Sequence, residues 1–145
     1  MAVWQTTLVV SPDHPIPKGW ESWPRFAELE ARLTAVLEPG ESWHPSLKRW
    51  GEGGHHEIDL WLLESEEEKE GLFCIRVDLR DDYFDFVNSI STILVDFNLK
   101  ILRDNFFEEA TFDTIMSVII RSNAYRFVAD PHHFLQELSR RNNEL

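Results

Sequence analysis

Residues 72–79 read Leu-Phe-Cys-Ile-Arg-Val-Asp-Leu, followed by Arg80. Phe73, Ile75, Val77 and Leu79 alternate with Cys74, Arg76, Asp78 and Arg80. A strict period of two predicts a strand with one apolar and one polar face. Working backward, residues 56–63 carry a second such pattern. Ile58, Leu60 and Leu62 fall on one face, and Asp59, Trp61 and Leu63 on the other. Between the two runs, residues 64–70 are nearly all charged with no apolar anchor, and Gly71 returns the chain. A solvated hairpin loop and antiparallel pairing of the two strands follow.

Outward from this pair, residues 4–10 are rich in β-branched and aromatic side chains and stop at Ser11-Pro12-Asp13, a strand and its turn. Pro15, Pro17 and Gly19 predict a loop. Pro24 opens a helix that Ser22 or Trp23 caps; Phe26, Leu29, Leu33, Val36 and Leu37 form its apolar face, and Pro39-Gly40 ends it. Residues 47–50 suit a short edge strand, and Gly51, Gly53 and Gly54 a flexible connection. Asp81 and Asp82 start a helix whose stripe runs Tyr83, Phe86, Val87, Ile90, Ile93, Leu94, Phe97. A short strand over 99–102 precedes an acidic loop holding Phe106 and Phe107. Thr111 caps a third helix, residues 122–129 fit either coil or its extension, and Asp130-Pro131 starts a last helix docked by Phe134, Leu135 and Leu138. The order strand, helix, strand, strand, helix, strand predicts an α+β fold in a single domain over residues 1–145. Its antiparallel sheet has about four strands covered by helices, in ferredoxin-like (split βαβ) order with extra C-terminal helices.

The chain has 145 residues, 43% of them hydrophobic, and a formal net charge of -12. Such acidity repels phosphate backbones, which argues against nucleic acid, and steers the protein toward a basic partner. Cys74 is the single cysteine, so no internal disulfide forms; alternation puts it on the polar strand face. Residues 1–7 lack a basic n-region followed by an apolar run, and no stretch has the length of a membrane span. A cytoplasmic protein away from membranes is expected.

Among chemistry-bearing residues, His55, His56 and Glu57, with Asp59 nearby, are the candidates for a metal site, although alternation separates His56 from the other two. His132 and His133 diverge by about 100° on the first turn of a helix and do not chelate together. Asp78, Asp81, Asp82 and Asp85 form a run of carboxylates that helix-end electrostatics explains. Arg76 is placed for cross-strand ion pairs with Glu57 or Asp59. No nucleophile elbow or phosphate-binding glycine loop occurs, and no cofactor is expected. Trp20, Trp23, Trp43, Trp50 and Trp61 suit either the core or a contact surface.

The stretches Ser42-Trp43, Trp50-Gly51, Glu57-Ile58-Asp59 and residues 75–80 resemble those of a family of small bacterial proteins. Residues 122–128, Asp130-Pro131 and Phe134-Leu135 continue the likeness. That family is similar to the immunity-type proteins that accompany secreted bacterial toxins. The resemblance implies a non-catalytic inhibitor and assigns no enzymatic residues. On this reading Trp43, Trp50 and Trp61 anchor a basic protein partner, a toxin, while Glu64, Glu66, Glu67, Asp81 and Asp82 pair with its cations. Two alternatives stand beside it. One is a small metal- or metabolite-binding domain or enzyme using the His55–Asp59 strand and Arg76. The other is a self-associating structural protein forming a homodimer.

Overall fold

The computed structural model describes residues 1–13, 19–62 and 73–144, with side chains to residue 141. The chain runs β1 (Gln5–Ser11), a 3-10 turn (Trp20–Ser22), α1 (Phe26–Val36), β2 (Leu47–Gly51), β3 (Glu57–Trp61), β4 (Phe73–Asp78) and α2 (Phe84–Asp96). There follow β5 (Lys100–Arg103), β6 (Phe106–Glu109), α3 (Phe112–Ile120), α4 (Asn123–Ala129) and α5 (Pro131–Glu144).

The strands form one antiparallel sheet in the order β2-β3-β4-β1-β5-β6. The class is α+β, but the expected sheet of about four strands in ferredoxin-like order is corrected to six. Leu47–Gly51 joins at one edge because Trp50, opposite Ile58, is a core residue. Phe106–Glu109, read as an acidic loop, joins at the other. Asp104, at φ 56°, supplies the positive φ that lets a two-residue turn close the hairpin from Arg103 to Phe106. Its glutamates disguised the strand. Because β4 lies antiparallel between β3 and β1, β3 and β1 run parallel, and α1 lies on the path between them. The same holds for β4 and β5, with β1 between them and α2 as the connection.

Register decides the faces. Ile58 opposite Ile75, Leu60 opposite Phe73, and Leu8 opposite Ile75 put one set of side chains under the helices. Leu29 and Leu33 of α1 and Val87, Ile90, Ile93 and Leu94 of α2 bury against them. Burial of each such side chain contributes about 1.5–3 kcal/mol. Trp20 stands edge-on to Phe73, centroids 5.3 Å apart, and so closes the core at its end. The hydroxyls of Thr111 and Ser122 accept the N–H groups of Thr114 and Tyr125 and cap α3 and α4, so residues 123–129 are helix. The last helix docks less than its pattern implies. Phe134 meets Phe127 of α4, but Leu135 and Leu138 are exposed. By contrast α1 starts without the expected cap from Ser22 or Trp23, and its N-cap position is Arg25.

The glycine-rich connection after β2 is pinned rather than flexible. Trp4 Nε1–H and Arg80 donate to the Gly54 carbonyl at 2.7 and 3.0 Å, and Gln5 donates to the His55 carbonyl at 2.6 Å. Gly51 begins the turn at φ 86°, and a Cβ there would stand 2.0 Å from the His56 carbonyl oxygen. Gly53 has open space around its Cβ direction. Gly51→Ala is therefore expected to cost more than about 2 kcal/mol in urea unfolding, from the disallowed φ together with the clash. Gly53→Ala should stay within about 0.5 kcal/mol of the parent.

Candidate functional site

The sheet face turned away from α1 and α2 carries the polar residues of β2, β3 and β4. Because Arg49 lies opposite Asp59, and Glu57 opposite Arg76, their four side chains meet on this face. Arg49 donates to Glu57 at 2.9 Å and to Asp59 at 2.8 Å. Arg76 donates to Glu57 at 3.3 Å and also binds Asp59. The four groups thus close a ring of alternating charge across three strands. Glu57 is buried and accepts two further bonds, from Gln5 Nε2 at 2.6 Å and the Gly54 N–H at 3.4 Å. Burial works against the Arg76 charge, but the bonds and charges of Asp59 and Glu57 outweigh it and raise its pKa above the ordinary arginine value. In the same face, burial pushes the Cys74 thiol up, which keeps it protonated at neutral pH and a poor nucleophile.

At one end of the ring the metal candidates diverge. Glu57 is held within it. His56 points the other way and stacks on Phe86 of α2, with centroids 4.0 Å apart. Its Nδ1 accepts the Asp78 N–H at 3.0 Å. His55 lies exposed, 3.8 Å from Asp78. Among the described residues no three His, Cys, Asp or Glu side chains are grouped to hold a metal. Desolvation lowers the His56 pKa, and the accepting Nδ1 also favours the neutral ring. Burial opposes ionisation of Asp78, yet the bonds from Arg80 outweigh it and hold its carboxyl below the ordinary range.

At the other end Trp61, on the same face as Asp59, meets Trp43 edge-on at 5.4 Å and His44 at 5.2 Å. Trp43 is 72% exposed, on a loop that a bond from the His44 N–H to Ser42 Oγ shapes. Along the flank of β2 lies a cleft of about 740 Å3 lined by Glu38, Glu41, Glu52, Arg49, His55 and His56, among others. The chain over Glu38 and Gly40 forms its near wall. The Gly51 N–H donates to the Glu38 carbonyl and the Gly40 N–H to the Arg49 carbonyl, which covers this sheet edge.

The expected contact residues are therefore not one patch. Trp50 is 2% exposed, and its indole N–H donates to Thr34 of α1 at 3.0 Å, so it is a core residue. Its position opposite Ile58 puts it on the helix-covered face. Asp81 and Asp82 lie exposed before α2, beyond the Glu57 end of β3, whereas Trp61 closes the opposite end about 13 Å away along the strand. Trp43 and Trp61 do come together, and with His44, which sequence reasoning passed over although it adjoins Trp43. Glu64, Glu66 and Glu67 lie outside the described residues. Glu38, Glu41 and Glu52 were missed because their nearness depends on how the chain packs along β2.

Comparison with protein-family models, with curated proteins and with solved structures gives no match.

Removing Arg76 leaves buried Glu57 short of a cation. Arg76→Met should lower stability by about 2–3 kcal/mol in denaturant melts. Combining it with Arg49→Met should depart from additivity by about 1 kcal/mol or more, the signature of a coupled ring. His56 provides a pH test. Its lowered pKa means the unfolded chain takes up the proton first, so stability is full above the ordinary value of 6.5 and falls as pH drops below it. Melts at about pH 7.5 and about pH 5.5 should show a smaller loss in His56→Asn than in the parent, with its amide oxygen replacing the Nδ1 acceptor.

Proposed function

We propose that this chain is a non-catalytic binding protein of immunity type, a cytoplasmic inhibitor that neutralises a bacterial toxin by covering it with an acidic, aromatic surface. The observation that carries the reading is Trp43. A tryptophan left 72% exposed, buttressed by Trp61 and His44, is the kind of rigid aromatic anchor found at the centre of protein interfaces. Glu41, exposed two residues before Trp43, supplies negative charge beside the ring, and the net charge of -12 steers a basic partner toward it. The neighbouring charge ring supports the same reading, because its mutual bonds stiffen the strands beneath the anchor and lower the ordering cost of association. The mechanism is occlusion: carboxylates occupy cationic groups with which a toxin binds its own substrate, and Trp43 fills an apolar recess beside them.

The test is affinity capture from lysate of the source cell with the parent protein and Trp43→Ala in parallel. One basic partner is expected on the parent at low salt, lost at high salt and lost with Trp43→Ala, and its toxic activity should be suppressed by the parent alone. A partner held equally by Trp43→Ala, or one whose activity the bound protein leaves intact, would refute the reading.

A further inference from the structure

We propose that the adjoining N-terminal ends of α2 and α3 form a second docking surface, which takes a basic polypeptide segment carrying an apolar side chain. The core observation is Phe84. It is the first residue of α2, yet its ring is 51% exposed. Tyr83 lies 5.2 Å from it and Phe112 of α3 lies 6.5 Å from it, centroid to centroid. Both of these neighbours are packed against the core, so they form a fixed floor for the protruding ring. The backbone is fixed too, since the Phe84 N–H donates to the Asp82 carboxylate at 3.0 Å. A phenylalanine at this position adds little to the core, while a preorganised exposed ring suits an interface anchor.

Charge selects the occupant. Asp82, Asp85 and Asp113 stand exposed around the aromatic group, and neither α2 nor α3 contains a lysine or an arginine. Such a rim repels phosphates and anionic membrane surfaces, and a chain of net charge -12 disfavours a second copy of itself. It attracts lysine or arginine side chains set beside an apolar residue that reaches Phe84. The surface lies beyond the Glu57 end of the sheet, opposite the Trp43 end, so the inference does not rest on the Trp43 reading.

Two lysine-rich synthetic peptides, identical except for one central leucine or serine, test it by titration into the isotopically labelled full chain. The leucine peptide should bind about tenfold more tightly at low salt. Amide shifts should centre on Phe84, Asp85, Phe112 and Asp113. Phe84→Ser should abolish the preference for leucine, and Asp85→Lys with Asp113→Lys should weaken both peptides. Each variant should keep a cooperative thermal transition, at a lower midpoint for the lysine pair because it sets a cation in the first turn of both helices, and Trp43→Ala should have no effect on peptide binding. Equal binding of the two peptides, a preference that survives Phe84→Ser, or shifts centred on Trp43 and Trp61 would overturn this surface. The last of these outcomes would leave the Trp43 reading standing.

Discussion

Pairing of β3 with β4 sets both faces of the sheet at once. Ile58 opposite Ile75 places two fully buried side chains beneath the helices, and the next pair along, Glu57 opposite Arg76, then has to lie on the far side. A slip of one residue would carry Ile75 and Val77 into water and Arg76 into the core, so apolar burial and ion pairing enforce the same register. The adjacent strands inherit it: Trp50 follows Ile58 into the core, and Arg49 follows Asp59 out to the ring.

The ring explains how a charged sheet face stays ordered beneath no helix of α1 or α2. Two carboxylates and two guanidinium groups in mutual contact cancel most of the desolvation cost that one buried Glu57 would otherwise impose. Its net charge is zero, so the acidity of the protein resides elsewhere. Much of it lies in groups that no core contact requires, along the β2 cleft and ahead of α2. An exposed aromatic side chain with a carboxylate close by in the chain stands at each end of the sheet, Trp43 after Glu41 at one and Phe84 between Asp82 and Asp85 at the other. The combination of negative charge and rigid apolar anchor recurs at opposite ends of a sheet whose rigidity the ring maintains, and that is the physical basis for reading the chain as a binding protein.

Alternation and helical spacing are local properties, and here they were sufficient for β3, β4, α1 and α2, because in each the apolar period agrees with the face that is buried. The strand at Phe106–Glu109 was not legible. Its side chains are mostly exposed, so no buried face imprints a period on it, and only the φ of Asp104 and the bonds to β5 define it. The last helix was legible as a helix but not in its docking, since Leu135 and Leu138 meet too little of α4 to be covered.

The sequence by itself determined the α+β class, the antiparallel β3–β4 pair, the cap at Thr111 and the strongly acidic character of the chain. Each depends on neighbours within a few residues or on summed charge. Tertiary structure alone decided that Trp50 is core while Trp43 is surface, and that Trp43, His44 and Trp61 meet. It also decided that Asp81 and Asp82 stand at the other end of the sheet from them. Those outcomes depend on which residues of distant strands come opposite one another, and a tryptophan in isolation carries no mark of the face on which its strand will place it.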